Sequence, residues 1–563
     1  MGRSGKRIAT NRNKPWLKSY PEGTPEFITL DPRKTIVKLL DEAESSYPQN
    51  NAFVNFGISM SYQDVQTKSK KFAAYLQNVL GLKKGDRIAM MMPNLLQYPV
   101  AIFGALRAGL IVVNVNPLYT PRELEHQLRD SGAKAILIFE NSAHVLSAVI
   151  ENTEIEHVII TKIGDFLGPI KGSLMNFVVK YLKRMVPRYS LPGKIDFKST
   201  LGRPVTDLDE SPISIDDLAF LQYTGATTGL SKGAMLSHGN VIASLEQLES
   251  MLVDLIDEEG SDIYINALPI YHIYSLSVIV LAGYTNGGLN VLITNPRDTD
   301  GFIKEIKKWR FTFFNGVNTL YESLLNHPEI KNVNFDSMKL SGTGGSACRQ
   351  STAERWQELT GNVLLEGYGL SETSPSVSVS PAYLTKFNGF VGLPVPSTEI
   401  SIRDETGKQV RRGDPGEICV KGPQVMQGYW ENEEATNEAI DEEGFFKTGD
   451  IGTLNSDGFI KIVDRKKDMI LVSGFNVYPN EIEDVVSLHP DIIEAACIGV
   501  DDEKTGEAVK LFVVKSNSSL SIDEVMDYCK DNFTGYKVPK HIEFIDELPK
   551  SNVGKVLRRS LRE

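Results

Sequence analysis

Between Ser61 and Thr161, helical patterns alternate with short apolar runs, and this alternation narrows the possible folds more than any other feature of the chain. The helix-like segment Tyr62 to Leu80 is followed by the apolar run Arg87 to Met92, and a second helical pattern precedes Leu110 to Asn114. Thr120-Pro121-Arg122-Glu123 joins a capping box to a proline at the first helical position. The helix it opens is predicted to end near Ser131-Gly132, ahead of a strand over Lys134 to Phe139. Repeated βα units of this kind fold as a parallel sheet covered by helices, so the fold class is α/β, with a large N-terminal domain of helix-covered sheets.

Length then requires a second unit, because 563 residues exceed the ~250–300 at which one hydrophobic core stops growing. Near the C-terminus a helix over Pro479 to Leu488, strands near Ala495 to Val500 and Val509 to Val514, and a helix over Ser521 to Phe533 predict a small, mobile α+β lid domain. The predicted division is 1–464 and 465–563. Its join falls in Val463-Asp464-Arg465-Lys466-Lys467-Asp468, a charged run expected to be solvated, although a plain surface loop has the same composition.

A hydrophobic content of 41% with 23% charged residues and no repeat describes an ordinary folded enzyme. The net charge of −12 argues against nucleic acid as a partner. Cys348, Cys419, Cys497 and Cys529 are widely spaced without a CxxC pair, which signals neither a disulfide framework nor a zinc site and suits a reducing compartment. The N-terminal arm is basic, lacks an apolar core of the signal-peptide kind, and has Lys6 where a myristoylation motif needs Ser or Thr. The apolar stretches Tyr98 to Val115 and Leu276 to Thr294 are broken by Arg107 and by Asn286-Gly287-Gly288, so no transmembrane helix is predicted.

The segment richest in chemistry is Tyr223-Thr224-Gly225-Ala226-Thr227-Thr228-Gly229-Leu230-Ser231-Lys232-Gly233. Small residues free its backbone amides, and hydroxyls accompany one lysine, a composition that can cradle phosphate oxygens. The spacing is not that of a Walker A loop, and a flexible turn has similar composition.

Four further segments stand beside it: Gly367-Tyr368-Gly369-Leu370-Ser371-Glu372-Thr373, Phe446-Lys447-Thr448-Gly449-Asp450, Asp464-Arg465-Lys466-Lys467-Asp468, and Pro549-Lys550-Ser551-Asn552-Val553-Gly554-Lys555. Together and in this order they resemble the adenylate-forming superfamily of acyl- and aryl-CoA synthetases. From about Trp16 onward the chain is similar to the bacterial long-chain fatty acyl-CoA synthetases.

The resemblance implies a reaction in which a long-chain fatty acid attacks ATP to give an acyl-adenylate, which coenzyme A then opens. It implies that Thr224, Thr227, Thr228 and Lys232 hold the β- and γ-phosphates and that Glu372 binds magnesium. Asp450 would accept the ribose hydroxyls, with Arg465 reaching ribose and phosphate. Tyr368 would stack on adenine against Gly344-Gly345-Ser346-Ala347. His272, in Leu268-Pro269-Ile270-Tyr271-His272-Ile273-Tyr274, would lie near the reacting carboxylate, although a lone histidine in apolar sequence is more often a core residue. Lys555 would bridge carboxylate and α-phosphate, Ser473-Gly474-Phe475-Asn476 would line the pantetheine tunnel, and Lys467 would be the hinge between the two arrangements.

Three positions depart from the family pattern: Ala226 and Thr343 stand where glycine is usual, and Phe445 where tryptophan is. A methyl group at Ala226 strains the loop if that position needs positive φ. Rival readings are a medium-chain or aryl acid ligase, an acyl-AMP ligase that loads a carrier protein, and a non-catalytic binding protein. Further expectations are a cytoplasmic enzyme peripherally and transiently bound to the inner face of the cell membrane, and a homodimer.

Overall fold

The computed structural model describes residues 14–209, 212–224, 231–257, 259–473, 475–551 and 554–562. Gly225, Ala226, Thr227, Thr228, Gly229 and Gly474 lie outside the described residues.

The predicted βα units form as separate elements: helix Tyr62–Asn78, strand Arg87–Met91, helix Gln97–Arg107, strand Ile111–Val115, helix Pro121–Ser131 and strand Ala135–Phe139. Local chemistry sets their ends. The Ser61 and Asp64 side chains close a reciprocal capping box, Thr120 and Glu123 close another ahead of Pro121, and Gly132 ends that helix with φ 56°.

These strands belong to a seven-stranded sheet ordered Ile195–Asp196, His157–Thr161, Ala135–Phe139, Arg87–Met91, Ile111–Val115, Leu218–Tyr223 and Gly233–Ser237, parallel except for the last strand. A nine-stranded sheet has a parallel centre made by Asn51–Asn55, Leu289–Leu292, Ile263–Asn266, Phe313–Gly316, Leu340–Thr343 and Leu364–Gly369. Helix Gln97–Arg107 is buried on every side. Its Phe103 packs against Phe53 and Tyr284 in a core that takes residues from both sheets, which explains why the segment reads as apolar nearly throughout. The one cation in it, Arg107, is neutralised by Asp41 at 2.8 Å.

Antiparallel strands Glu399–Arg403, Gly416–Lys421, Phe446–Leu454 and Ile460–Arg465 form a third sheet. The C-terminal segment has its own sheet, built around the long hairpin Ile492–Asp502 and Gly506–Lys515, with helices Pro479–Val486 and Ile522–Asn532 and a separate apolar core. Tyr98 to Val115 and Leu276 to Thr294 each split into helix and strand, and no described helix is long and apolar enough to cross a membrane.

One expectation needs correction. The run Val463 to Asp468 is not uniformly solvated, because Asp464 and Asp468 are buried. The Arg558 guanidinium lies 3.9 Å from Asp464 and 3.5 Å from Asp468, and the Asn480 N–H donates to Asp464 at 2.7 Å. Composition revealed the charges but not the partners, which arrive from far along the chain.

Candidate active site

A cavity of about 2040 Å³ opens where the two large sheets, the antiparallel sheet and the C-terminal segment meet. Strand ends and the loops that follow them deliver its polar groups, as is usual for α/β sheets.

Tyr223 and Gly233 pair at one end of an antiparallel hairpin, and the Thr224 N–H donates to the Lys232 carbonyl at 3.1 Å. The hairpin thereby presents Thr224 and Lys232 at the cavity, and the Tyr223 hydroxyl beside them donates to Asp130 Oδ2 at 2.5 Å. Lys232 lies 5.2 Å from the centre of the Tyr429 ring, and the hydroxyl of that ring donates to Glu372 Oε1 at 2.8 Å. Glu372 is buried, and loss of water raises its carboxyl above the usual range. Its carboxylate also takes a hydrogen bond from its own backbone N–H. Tyr429 therefore links the cation and the carboxylate, a role no sequence period could reveal.

Asp450 sits on strand Phe446–Leu454 opposite Arg465, with its Oδ1 3.5 Å from the Arg465 Nε. The Tyr368 hydroxyl donates to Asp450 Oδ2 at 2.7 Å. Gly369 cannot be replaced without displacing the turn beside it, because a Cβ there would lie 1.9 Å from the Pro375 carbonyl. Gly344 and Gly345 follow strand Leu340–Thr343, Gly345 with φ 76°. A Cβ on Gly344 would come within 3.0 Å of the Gly367 carbonyl, so a side chain would narrow the slot between these strand ends.

His272 is half-buried, and its Nδ1 accepts the Tyr274 N–H at 3.2 Å, which sets the direction of the ring. Burial, reinforced by the charge of Lys555, lowers it to about 4, so it is neutral at ordinary pH. Lys555 reaches the same region from the C-terminal segment. Burial and the neighbouring Arg465 bring its amine down to about 7. The turn that carries it, closed by Ser551 N–H to Lys555 carbonyl at 2.7 Å, lies against Thr319, whose hydroxyl would be 2.0 Å from a Cβ on Gly554. Arg349 adds a second contact across the cleft, donating to the Ile493 carbonyl at 3.2 Å. Lys467 lines the cavity and is lowered to about 8, chiefly by burial and then by Arg465.

Sequence reading missed Glu366, which lies beside the motif glycines, is buried, and is raised to about 8 by loss of water. One part of the cavity lining is rich in apolar side chains, with Glu249 among them, and has a regular floor. Parallel register sets Asn315 level with Gly342, and places Tyr264, Phe313 and Leu340 together one step further from Gly344. The rings of Tyr264 and Phe313 stack at 4.6 Å. Leu245, Leu248 and Leu252 of helix His238–Leu252 face this floor with Val278. Thr343 adds a buried hydroxyl with no hydrogen-bond partner among the described residues. Phe445 packs under Arg403 at 4.6 Å, which accounts for an aromatic residue at that position.

No group of three or more His, Cys, Asp or Glu side chains forms a metal cage among the described residues. The four cysteines are free.

Comparison with known proteins gives concordant matches along nearly the whole chain. The AMP-binding enzyme family matches residues 40–430, and the AMP-binding enzyme C-terminal domain matches residues 481–555. A long-chain-fatty-acid–CoA ligase of Salmonella typhimurium is 54% identical over 551 residues, covering 98% of both chains. The protein of that name from Haemophilus influenzae is 50% identical over 550 residues, covering 97% of this chain and 98% of its own. Among solved structures, ATP-bound MatB from Rhodopseudomonas palustris superposes with a TM-score of 0.81 at 28% identity, over 94% of this chain and 98% of that one. The anthranilate CoA ligase AuaEII superposes at 0.83 with 22% identity, covering 95% and 97%, a likeness of fold.

Proposed function

Since the chain belongs to the AMP-binding enzyme family, we propose that it is an ATP-dependent ligase that joins a long-chain fatty acid to coenzyme A through an acyl-adenylate, releasing AMP and pyrophosphate. The observation that carries the reading is the convergence on one cavity of Lys232, Glu372, Asp450 and Arg465 with Lys555 from the C-terminal segment, beside a deep apolar recess.

A carboxylate is a weak electrophile, so it is converted first into a mixed anhydride with AMP. The fatty carboxylate attacks the α-phosphorus, pyrophosphate leaves, and the coenzyme A thiol then displaces AMP from the acyl carbon. In this scheme Thr224 and Lys232 hold the departing phosphates, and Lys555 sets an ammonium between carboxylate and α-phosphate, where negative charge grows. Asp450, pre-set by Tyr368 and Arg465, receives the ribose hydroxyls. Neutral His272 orients the acyl carboxylate without adding charge. Gly344 and Gly345 leave room for the adenine base.

Magnesium fits the Glu372 carboxylate at the cavity wall, since a hard cation prefers oxygen donors and takes its other ligands from phosphates and water. When bound it supplies charge neutralisation of the phosphates. The division near Arg465, the hinge at Lys467 and the role of Gly474 beside the pantetheine arm complete the reading. So do a homodimer and a peripheral, cytoplasmic place at the membrane from which long-chain acids arrive.

A series of acids of increasing chain length, assayed separately for pyrophosphate release and for thioester, tests the proposal. Preference should climb into the long-chain range, because each buried methylene is worth ~0.8 kcal/mol. An optimum at acetate or at an aromatic acid would overturn it.

Protonation gives a second test. An amine held near 7 is largely neutral in the unliganded enzyme at about pH 8, and a triphosphate beside it raises its pKa. ATP binding at about pH 8 should therefore take up a proton, seen by calorimetry in buffers of different ionisation enthalpy. The uptake should fade as the pH drops below about 6, where Lys555 is already charged, and vanish in Lys555→Met. A proton count that is the same in wild type and variant would contradict the assignment.

A further inference from the structure

The stretch 166–195 holds six cations, Lys171, Lys180, Lys183, Arg184, Arg188 and Lys194, and no Asp or Glu, within a chain of net charge −12. It forms helix Pro169–Phe177, which continues as a wider turn through Leu182. One side of this helix is fixed to the body of the protein. Gly172 lies so close to Gly164 that a Cβ on either would collide with the backbone of the other, and Asn176 Oδ1 accepts the Gly164 N–H at 2.8 Å. Lys180 reaches the buried Glu140 at 2.9 Å, and Val179 is buried.

The opposite side is bare. Ile170, Leu174, Phe177 and Tyr181 recur at helical spacing along a single stripe and are 85%, 63%, 51% and 61% exposed. The rings of Phe177 and Tyr181 lie 5.3 Å apart, and Leu182 and Met185 extend the patch. Six of the eighteen large hydrophobic residues left exposed among the described residues thus fall between 170 and 185, a concentration that marks an interaction surface. Lys183, Arg184 and Arg188 are exposed at its end and form no ion pair among the described residues.

We propose that this helix is the surface by which the enzyme lies on an anionic lipid bilayer, with the apolar stripe entering the headgroup boundary and the cations facing lipid phosphates. The proposal rests on the reading of the substrate as a long-chain fatty acid, a molecule that partitions into that bilayer. Charge selects this occupant over a second copy of the chain. A two-fold contact through the stripe would bring the cations of one copy against those of the other, whereas anionic headgroups attract them. Rigid anchoring through Gly172 and Asn176 leaves the stripe facing outward without any rearrangement, and an amphipathic helix of this kind lies in the interface and does not span it.

The test sediments the full-length enzyme with phosphatidylcholine vesicles, with and without phosphatidylglycerol. The wild type should bind the anionic vesicles, and more weakly as salt rises. L174D/F177D should weaken that binding about 100-fold by removing the inserted apolar surface. K183E/R184E/R188E should abolish the preference for phosphatidylglycerol. Both variants should form acyl-CoA from a water-soluble medium-chain acid as the wild type does, which keeps folding and chemistry separate from docking. Vesicle binding undiminished in both variants overturns the proposal. So does a wild-type dimer that L174D/F177D dissociates while lipid binding persists. Intact, variant-sensitive vesicle binding without thioester formation from any fatty acid would strike the ligase reading and leave the docking surface standing.

Discussion

Replacing Lys555 by alanine should lower acyl-adenylate formation by ~10²–10³-fold while leaving thioester formation from supplied acyl-adenylate largely intact. The structure gives the reason in terms of charge. Lys555 is half-buried, and among the groups that perturb its amine Arg465, Lys467 and Arg558 are cations, with Asp450 the opposing carboxylate. An ammonium in such company is strained until an anion arrives, so its stabilisation of that anion is the larger when charge develops at the α-phosphate. The second half-reaction expels AMP by attack of a thiol and needs no new cation at that place. Separate assays of pyrophosphate release with ATP and of thioester with pre-formed adenylate resolve the two. Equal losses in both would remove Lys555 from the first step and make its role structural.

Arg558→Met should destabilise the C-terminal segment by ~3–5 kcal/mol, the cost of leaving buried carboxylates without their counter-ion. Arg558 stands three residues beyond Lys555 and donates from Nε and a terminal nitrogen to the two oxygens of Glu483, at 3.1 and 2.7 Å. It also donates to Asn480 Oδ1 at 2.6 Å and neutralises Asp464, which has no solvent exposure and is raised to about 6 by burial. Asp464 is the penultimate residue of strand Ile460–Arg465, which leads into the proposed hinge, so one guanidinium ties hinge, helix Pro479–Val486 and the Lys555 turn together. Denaturant unfolding should show an earlier transition for the C-terminal segment. Adenylation should fall with it, since Lys555 loses its support. Arg558→Lys should recover only part of the effect, because an ammonium lacks the planar fork that meets two oxygens at once. Unchanged unfolding in Arg558→Met would show that the cluster adds nothing to stability.

Much of this architecture could be read from local chemistry. Capping boxes at Ser61, Thr120 and Ser521 fix helix starts within a few residues of sequence, and period-2 and period-3.6 patterns need only neighbours to be recognised. The motif residues Asp450, Arg465, Glu372 and Lys555 were nameable because their family order survives in the chain. What could not be read are links between residues remote in sequence. Tyr429 joins Lys232 to Glu372, and Arg558 joins Asp464 to Glu483, and neither pairing leaves a period or a spacing. The solvated look of Val463 to Asp468 misled for the same reason: charge is visible in sequence, whereas burial of its counter-ion is not. The apolar recess was equally hidden, since Tyr264, Phe313 and Leu340 become neighbours only through sheet register.

That register makes the floor of the recess a graduated scale. Strands Ile263–Asn266, Phe313–Gly316 and Leu340–Thr343 run in parallel, so their cavity-facing side chains fall in shared ranks about two residues, or ~6.6 Å, apart, and Leu340 lies ~13 Å from Gly344 along its strand. An acyl tail lying along these strands meets each rank as one bar across the whole width. A bulkier or smaller residue anywhere on a bar shifts the stopping point by a full division. For the proposed ligase, the expectation is that substitutions on a single bar move the preferred chain length by several methylenes at once, since neighbouring bars are ~6.6 Å apart.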